Sequence, residues 1–312
     1  MENNIFLLNN RSRRHKDNLI IDIIDEIDKK NNLTYEDFKQ QYLDLNKPVI
    51  IQDASKNWLS HQKWNFGFFK KMYGKYELKI NGNFYKFNNY IDLVLESTIE
   101  NPAPYLELTD TLKVFPDLIF DLYPEIIYLL PDRLRSKMLP KFYEKNWGMR
   151  KRVVTLLIGG VGSGYSILHY DVFYIQAFVT QIRGDKEFIL YPPTESKYLY
   201  PSSHWLNSSL IDNINYPNRE KFPLFSKAKQ IKILLKEGET IYIPSGWWHA
   251  TKVVSPSIAV VNHWINPAKW SEFISSNCLQ LNNKPIKREL LRFYLLGIGK
   301  FMTLNEKLGG SN

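Results

Sequence analysis

Between residues 153 and 264 the chain repeats one pattern, in which short apolar and β-branched segments alternate with turn-forming residues. Val153–Ile158 is rich in valine and leucine, and four glycines follow it within residues 159–164. Later segments of the same kind end at residues 183–185 and at residues 192–193. Short runs of this composition bounded by glycine, proline or aspartate are typical of β-strands. This part of the chain is therefore predicted to form strands and hairpins.

Two histidines and one aspartate lie at the ends of these segments. His169 and Asp171 are two positions apart, and on an extended strand that spacing puts both side chains on one face. His249 follows a later predicted strand and can supply a third ligand from a neighbouring position. Two imidazoles and one carboxylate are the ligand set of non-heme Fe(II) oxygenases, with positions left open for a co-substrate and O2. The sequence therefore predicts a metal site at these three residues.

The segments around the three residues resemble the JmjC and cupin-like oxygenases, which depend on Fe(II) and 2-oxoglutarate. The resemblance covers about residues 32–266, and the order and spacing of its segments are specific. It is closest to the small JmjC hydroxylases, among them the asparaginyl and lysyl hydroxylase branches and the wybutosine tRNA hydroxylase branch. The matching segments are S-I-L-H-Y-D at 166–171, Q-I-R-G-D-K-E-F-I-L-Y-P-P at 181–193, F-P-L-F-S-K-A at 222–228, E-G-E-T-I-Y-I-P-S-G-W-W-H at 237–249 and N-H-W at 262–264.

The resemblance implies a mainly β fold, a double-stranded β-helix of the jelly-roll or cupin barrel type, with flanking N-terminal and C-terminal helices. We expect an N-terminal tail over residues 1–31, the oxygenase domain over residues 32–266 and a C-terminal helical annex over residues 267–312. Leucines at helical spacing between Ile286 and Leu304 support the annex. Because such an annex often mediates dimerisation in relatives, a homodimer through these helices is a hypothesis for this chain.

Further helices are predicted on the N-terminal side of the strands. Thr34–Asp37 resembles a capping box and predicts a helix that runs to about Tyr42. Residues 66–73 and 90–95 are also predicted to be helical. Residues 112–148 are rich in proline, leucine and tyrosine, and we expect them to be partly irregular and to form a lid or a substrate-facing wall.

The resemblance also implies roles for residues around the metal. The two histidines and the aspartate would bind Fe(II). Lys186 matches the family lysine that pairs with the distal carboxylate of 2-oxoglutarate, and a buried dianion needs such a cation. Ser166 and Tyr105 match hydroxyl-bearing residues that hydrogen-bond the same carboxylate. Asn262 lies where some relatives place an asparagine near the metal.

Other residues near the predicted site stay open to interpretation. Several relatives carry an asparagine in the strand after the metal pair. In this chain Gln176 is the candidate for that position, and the alignment of the two sequences is ambiguous there. Strand alternation favours an orientation of His263 away from the metal. The other histidines are interpreted as packed or solvated residues: His15, His61 and His204. Aromatic residues are expected to wall the pocket: Tyr170, Phe173, Tyr174, Trp247, Trp248 and Trp264.

The reaction that the resemblance implies is oxidative decarboxylation of 2-oxoglutarate to succinate and CO2, with O2 as oxidant and a substrate C–H bond as the target. Hydroxylation of a protein side chain is the preferred hypothesis. Hydroxylation of a modified tRNA nucleoside is an alternative that the segment at 222–228 and the net charge favour slightly. A non-catalytic cupin-like binding protein is a third hypothesis, and the complete ligand set together with Lys186 opposes it. Histone demethylation is less favoured, because the chain has no cysteine-rich zinc module.

Composition limits the setting in which this chemistry takes place. Forty-one basic and 32 acidic residues give a net charge of +9, which permits nucleic acid or acidic partners without requiring them. The one cysteine, Cys278, excludes an intrachain disulfide and fits a reducing compartment. No signal sequence is apparent, and no apolar run reaches the ~18 residues that span a bilayer. We expect a soluble intracellular protein, cytoplasmic or nuclear, with a protein or tRNA substrate and no membrane partner.

Overall fold

A computed structural model describes residues 26–109, 111–141, 152–203, 207–281 and 284–308. In these ranges the strands are β1 (Lys29–Lys30), β2 (Val49–Ile51), β3 (Glu77–Ile80), β4 (Asn83–Lys86), β5 (Leu106–Leu108), β6 (Val153–Gly159), β7 (Gln176–Arg183), β8 (Lys186–Tyr191), β9 (Ile231–Leu235), β10 (Thr240–Ile243), β11 (Trp248–Val253) and β12 (Ser257–Trp264). A larger sheet has the order β1-β2-β10-β7-β12-β6-β5, a smaller sheet has the order β11-β8-β9, and β3 pairs with β4.

The two sheets enclose an apolar interior, and strand alternation decides which residues reach it. In β7, Ala177 and Val179 belong to the interior cluster, whereas Phe178 lies on the opposite face of the sheet. Phe188 and Leu190 of the smaller sheet meet the inward residues of the larger one. Two facing, largely antiparallel sheets around one core are a jelly roll. The mainly β fold with flanking helices that the resemblance implied is therefore confirmed.

The helices in the described ranges cover the outer face of the larger sheet or follow its last strand. Thr34 caps the first helix, because its Oγ1 accepts a hydrogen bond from the Asp37 amide. A π-helical turn, Lys39–Leu43, continues that helix past Tyr42, so the predicted start and length are confirmed. The helices are α1 (Tyr35–Phe38), α2 (Ser60–Lys63), α3 (Phe66–Tyr73), α4 (Phe87–Glu96), α5 (Thr111–Val114), α6 (Trp270–Leu281) and α7 (Pro285–Lys307).

The segment expected to form a lid packs instead against the outside of the larger sheet. Two 3-10 helices, Pro116–Leu122 and Ile127–Leu129, bury Leu118, Leu122 and Tyr128 in the cluster that contains Phe178. These side chains cover the sheet face that points away from the interior. The expectation of a substrate-facing wall is therefore wrong for residues 116–129, and residues 142–151 lie outside the described ranges.

The C-terminal helices form a third apolar cluster beside the end of β12. The guanidinium of Arg133 is 1% exposed and donates to Gly299 O at 2.8 Å and to Thr303 Oγ1 at 2.8 Å. A Cβ added at Gly299 would lie 2.3 Å from Trp270 Nε1, so only glycine permits this close approach of α6 and α7. The helix predicted between residues 286 and 304 is confirmed.

The long segment between β8 and β9 covers the outer face of the smaller sheet. Phe222 and Phe225 pack there with Tyr191 and Trp248, so the F-P-L-F-S-K-A segment has a role in packing. At the other end of the described chain, β1 already joins the larger sheet through a parallel ladder with β2. Among the described helices, none combines the length and the apolar character that crossing a membrane requires.

Candidate active site

His169 and His249 are held side by side by the backbone. His249 lies in β11, and His169 forms an isolated antiparallel bridge with it. His169 N donates to His249 O at 3.1 Å, and His249 N donates to His169 O at 2.6 Å. The centroids of the two imidazole rings are 4.3 Å apart. Since a hydrogen-bonded antiparallel pair fixes the separation of its side chains, the backbone sets the spacing of the two nitrogen donors.

Each imidazole uses one ring nitrogen for the backbone and keeps the other free for a metal. His169 Nδ1 lies 2.9 Å from Ile167 O, and His249 Nδ1 lies 3.0 Å from Trp247 O. A carbonyl oxygen can only accept, so each Nδ1 carries a proton and each Nε2 is the ring nitrogen left to face a metal. Burial lowers the pKa of His169 to about 4, with the charge of His249 contributing, so the His169 ring is neutral at physiological pH.

Asp171 adds an anionic oxygen to the two nitrogens. One ligand atom from each of the three residues can be chosen so that all lie within 4.8 Å of one another. Asp171 stands at the entry to a 3-10 turn, Val172–Tyr174, rather than on a regular strand. Phe173 and Tyr174 in that turn have φ values of 58° and 57°, and Ser245 Oγ donates to Tyr174 O at 2.7 Å. The turn is thus fixed by contacts from the loop that precedes His249.

The donor set fits a ferrous ion. One ligand atom from each residue lies within 4.8 Å of the others, so the three side chains converge on one position where an ion can bind. Neutral imidazole and carboxylate are suitable ligands for Fe(II), and two nitrogens with one oxygen on one side leave coordination positions open. The hydrogen bonds from both Nδ1 atoms orient the rings as metal-ligating histidines require.

Lys186 is a buried cation on the inner face of the smaller sheet. It is the first residue of β8, where it pairs with Leu235 of β9 and with Val253 of β11. Its side chain is 0% exposed. Its Nζ donates to Tyr105 OH at 2.9 Å, and no described residue forms an ion pair with it. Burial lowers the pKa of Lys186 to about 7. A buried ammonium is costly unless an anion lies beside it, so this position suits one carboxylate of a bound dianion.

Tyr105 connects Lys186 to two adjoining cavities of about 580 and 350 Å³. Burial raises the pKa of Tyr105, so its phenol stays protonated and can donate. Ser166 lines both cavities as well, with an exposed side chain. The structure therefore brings Tyr105 and Lys186 into direct contact and places Ser166 at the rim of the same space.

Asn262 does not lie in this space, which corrects its predicted position. It faces the outer layer, as do Val260 and Trp264 on the same strand. Its Oδ1 accepts hydrogen bonds from Arg152 Nε at 3.0 Å and from an Arg152 Nη at 2.8 Å. The inward position belongs to His263, which was expected to point away from the metal. The faces of β12 alternate regularly from Ile258 to Trp264, so the error lies in the inward position that resemblance gave to Asn262, from which His263 was then placed outward.

Gln176 is also turned away from the metal cluster. Its Nε2 donates to Tyr242 OH, and its Oε1 accepts from the backbone amide of Asn266 at 3.1 Å. The nitrogen and the oxygen of the side-chain amide are therefore both hydrogen-bonded away from the metal cluster. The aromatic residues expected around the pocket belong to different parts of the structure. Trp247 packs in the interior, Trp264 in the outer layer, Phe173 beside the C-terminal helices, and Tyr170 and Trp248 beneath the long insert.

Four polar residues that the sequence did not single out as site residues lie near the cluster. Glu107 and Thr155 share the inner face of the larger sheet with His263, and the Tyr165 ring centroid is 4.3 Å from that of His169. Burial raises the pKa of Glu107, as does the charge of Asp171. Burial lowers the pKa of His263, and its Nδ1 is buried without a hydrogen-bond partner among the described residues. The i, i+2 spacing of Tyr105 and Glu107 is a signal that could have identified Glu107.

Comparisons with known proteins agree with this geometry. A family model described as a cupin-like domain matches residues 75–269. The chain is 25% identical to "Arginine-specific demethylase JMJ20" of Arabidopsis thaliana, over 79% of this chain and 58% of that protein. It is 26% identical to "Lysine-specific demethylase JMJ21" of Arabidopsis thaliana, over 77% of this chain and 25% of that protein.

A further relative is the protein named HSPB1-associated protein 1 in Rattus norvegicus, 26% identical over 74% of this chain and 51% of that protein. The chain thus spans between a quarter and somewhat over half of the length of these relatives. The matched region contains the metal cluster and Lys186. The chain belongs to the cupin-like domain family, in the group of JmjC oxygenases that use Fe(II), 2-oxoglutarate and O2.

Proposed function

We propose that this chain is a 2-oxoglutarate-dependent hydroxylase that acts on a protein side chain. The observation that carries the proposal is the cluster of His169, Asp171 and His249, with the buried cation Lys186 on the same inner surface. A structural metal site would have its ligands closed around the ion, whereas three ligands on one side leave room for co-substrate and O2. A binding protein without turnover would have no need of this arrangement.

The co-substrate is expected to lie between the metal cluster and Lys186. Its distal carboxylate would accept hydrogen bonds from Lys186 Nζ and Tyr105 OH, which are already 2.9 Å apart. Ser166 would add a third hydroxyl from the rim. A charge-assisted pair inside a poorly hydrated interior offsets the cost of burying the ammonium. These contacts would orient the keto-acid end of the molecule toward the metal ligands.

The bound Fe(II) supplies the activation of O2 that is coupled to conversion of 2-oxoglutarate into succinate and CO2. The protein contributes geometry and exclusion of water. The hydrogen bonds from both Nδ1 atoms to carbonyl oxygens hold the two rings so that each Nε2 can face the metal. The apolar interior around Ala177, Phe188 and Leu190 keeps water from the reacting atoms.

Demethylation is a second outcome of the same chemistry. Hydroxylation of an N-methyl carbon gives a carbinolamine, whose C–N bond then breaks to release formaldehyde and the demethylated amine. Two of the relatives are named as arginine- and lysine-specific demethylases, which favours this outcome over a tRNA substrate. The segment at 222–228 no longer supports tRNA, because it packs against the smaller sheet. A tRNA nucleoside remains the alternative that the net charge permits.

The setting of the reaction is part of the proposal. An intracellular location accords with the chain's one cysteine, which is buried.

We also propose a homodimer through α7, because this helix exposes apolar residues at three- and four-residue spacing. They are Ile286, Leu290, Phe293, Tyr294, Phe301 and Leu304.

Mass spectrometry of peptides tests the proposed reaction. Arrays of peptides with unmodified and N-methylated side chains are incubated with protein, Fe(II) and 2-oxoglutarate under air. Hydroxylation adds 16 Da, whereas demethylation removes 14 Da and releases formaldehyde. His169→Ala is the control, because it removes one metal ligand. Peptide products that form equally with this variant would contradict the proposal.

A further inference from the structure

Asp171 depends on its neighbours along the chain for its position in the metal cluster. His169 and His249 are fixed by the two backbone hydrogen bonds that they exchange, whereas Asp171 lies after that bridge and before β7. The residue before it, Tyr170, is tied to the long insert, because Tyr170 N donates to Asn207 O at 2.9 Å and Asn207 Nδ2 donates to Tyr170 O at 3.0 Å. The direction of the Asp171 carboxylate therefore depends on how the chain continues after it.

The turn after Asp171 has a backbone conformation that side chains rarely adopt. Phe173 has a φ of 58° and a ψ of 18°, and Tyr174 has a φ of 57°. Residues other than glycine are uncommon in this left-handed region, because Cβ comes too close to the following carbonyl oxygen. Such a conformation persists only where surrounding contacts hold it. The contacts of this turn therefore decide whether Asp171 keeps its place.

Phe173 makes such a contact with the C-terminal helices. Its side chain is 4% exposed, whereas its neighbours in the turn, Val172 and Tyr174, are 41% and 36% exposed. The Phe173 ring lies in one apolar cluster with residues of α6 and α7, and its centroid is 6.3 Å from that of Phe273 in α6. The two rings meet at 81°, the edge-to-face arrangement that aromatic pairs prefer. The ring thus anchors the turn in the C-terminal cluster.

The helical side of this anchor is itself held in place. The Trp270 ring centroid lies 5.4 Å from that of Phe273, and Trp270 Nε1 donates to Leu295 O at 3.0 Å, which ties α6 to α7. Gly299 permits the close approach of these helices, and its carbonyl oxygen accepts from the buried Arg133. Phe273 is therefore a fixed point against which the turn can pack.

A second contact holds the other end of the turn. Ser245 Oγ donates to Tyr174 O at 2.7 Å, and a Cβ added at Gly246 would lie 3.2 Å from Tyr174 Cε1, so Tyr174 packs on the loop before His249. Phe173 is one position closer to Asp171 than Tyr174 is. The C-terminal helices thus hold the part of the turn that lies nearer to the metal ligand.

We propose that Phe173 is a positioning residue for the metal ligand Asp171, and that the C-terminal helices support the metal cluster through it. Without the ring, the left-handed residues would relax toward an ordinary conformation, and the backbone after Asp171 would turn its carboxylate away from the two imidazoles. The imidazoles would keep their places, because backbone pairing holds them. The inference rests on the metal cluster that the proposed function uses, and it holds for any substrate.

Affinity of the full chain for Mn(II) tests this assignment, measured by calorimetric titration at a temperature where circular dichroism shows each variant to be folded. We expect Phe173→Ala and Phe273→Ala each to weaken binding about tenfold or more, the effect of losing a group that orients a metal ligand. Phe173→Leu keeps an apolar side chain in the cluster and should restore most of the affinity. The double variant Phe173→Ala and Phe273→Ala should bind no more weakly than Phe173→Ala, because both changes remove one contact.

Met302→Ala separates positioning from a general loss of stability. Met302 is a buried residue of the same cluster, on α7 beyond Gly299. Thermal unfolding without metal should show that Met302→Ala and Phe173→Ala both destabilise the protein, because each leaves a cavity. Only Phe173→Ala should also lose affinity for Mn(II). If Phe173→Ala does not fold, Phe273→Ala and Phe173→Leu decide the question in the same way.

The results also distinguish failure of this inference from failure of the proposed function. Unchanged Mn(II) affinity in Phe173→Ala and Phe273→Ala would overturn the role of Phe173, as would an equal loss of affinity in Met302→Ala. In either case, succinate formation by the unsubstituted chain would leave the proposed function standing. Absence of both Mn(II) binding and succinate formation in the unsubstituted chain would overturn the metal cluster, and the role of Phe173 with it.

Discussion

His169 and His249 exchange both backbone hydrogen bonds, N to O at 3.1 Å and 2.6 Å, although 80 positions separate them in the sequence. This pair brings the segment before β7 against β11 and puts the two imidazoles on the same side. Each Nδ1 then donates to the carbonyl of the residue two positions earlier. The metal cluster is therefore a consequence of backbone pairing, and its two nitrogen donors are oriented before a metal binds.

Removal of one ligand should abolish metal binding with little effect on the fold. We expect His169→Ala, Asp171→Ala and His249→Ala each to weaken Mn(II) binding by more than about 100-fold, beyond the 10–100-fold effect of losing an outer hydrogen bond. Calorimetric titration measures this affinity. His61→Gln is a matched control, because His61 bonds Ser55 outside the cluster. Unchanged affinity in any of the three variants would show that the metal lies elsewhere.

The lowered pKa of Lys186 predicts that the protein takes up a proton when 2-oxoglutarate binds. Its pKa in the free protein is about 7, well below the 10.5 of an unfolded lysine, so at about pH 8.5 the amine is largely neutral. A bound carboxylate favours the ammonium and raises this pKa, so binding should take up about one proton at pH 8.5 and little near pH 6. Calorimetry in buffers of different ionisation enthalpy measures the uptake.

Lys186→Arg provides the comparison for that measurement, because a guanidinium stays charged over the whole pH range. This variant should bind 2-oxoglutarate without proton uptake. The same linkage affects stability. Since the folded pKa lies below the unfolded value, the free energy of unfolding of the free protein should rise from about pH 7 to about pH 10.5 relative to Lys186→Arg. Binding without proton uptake in the unsubstituted protein would contradict this description of Lys186.

Asn262 and His263 should give opposite results on substitution. Asn262→Ala removes the acceptor of two Arg152 hydrogen bonds, so it should lower the free energy of unfolding by about 1–3 kcal/mol and leave the 2-oxoglutarate requirement unchanged. His263→Ala removes a side chain from the inner wall and should reduce turnover more than stability. Thermal unfolding together with succinate formation measures both effects. A raised 2-oxoglutarate requirement in Asn262→Ala would restore the original prediction.

The exposed apolar side chains of α7 predict that the protein self-associates. We expect the protein to sediment at twice the 36.9 kDa of one chain at micromolar concentration, and the double substitution Phe293→Glu and Phe301→Glu to sediment as a monomer. Analytical ultracentrifugation distinguishes the two masses. Tyr216→Glu, at a position that is 84% exposed away from α7, is the control. A monomer in the unsubstituted protein would rule out the proposed dimer.

The metal ligands were accessible from sequence because the H-x-D spacing and the strand before His249 are local features. The sequence could not show that His169 reaches His249 through a bridge, since that contact depends on two distant segments. Lys186 and Tyr105 were chosen by resemblance, and their contact at 2.9 Å appears only when β5 and β8 face each other across the interior.

The residues that were misplaced or missed have separate physical causes. Alternation along a strand separates two faces but does not say which face is internal. Asn262 and His263 were exchanged for that reason. Glu107 was missed because β5 is only three residues long and its partner strand lies nearly 50 positions later. Residues 116–129 were expected near the substrate because composition does not reveal the side on which a segment packs.

Succinate formation is the most direct test of the central claim, that His169, Asp171 and His249 hold a metal that turns over 2-oxoglutarate. Purified protein is supplied with Fe(II) and 2-oxoglutarate under air, with His169→Ala measured in parallel. We predict Fe(II)-dependent succinate from the unsubstituted protein, even without substrate, and none above background from the variant. Equal succinate from both proteins, or neither succinate nor 2-oxoglutarate binding by the unsubstituted one, would contradict the claim.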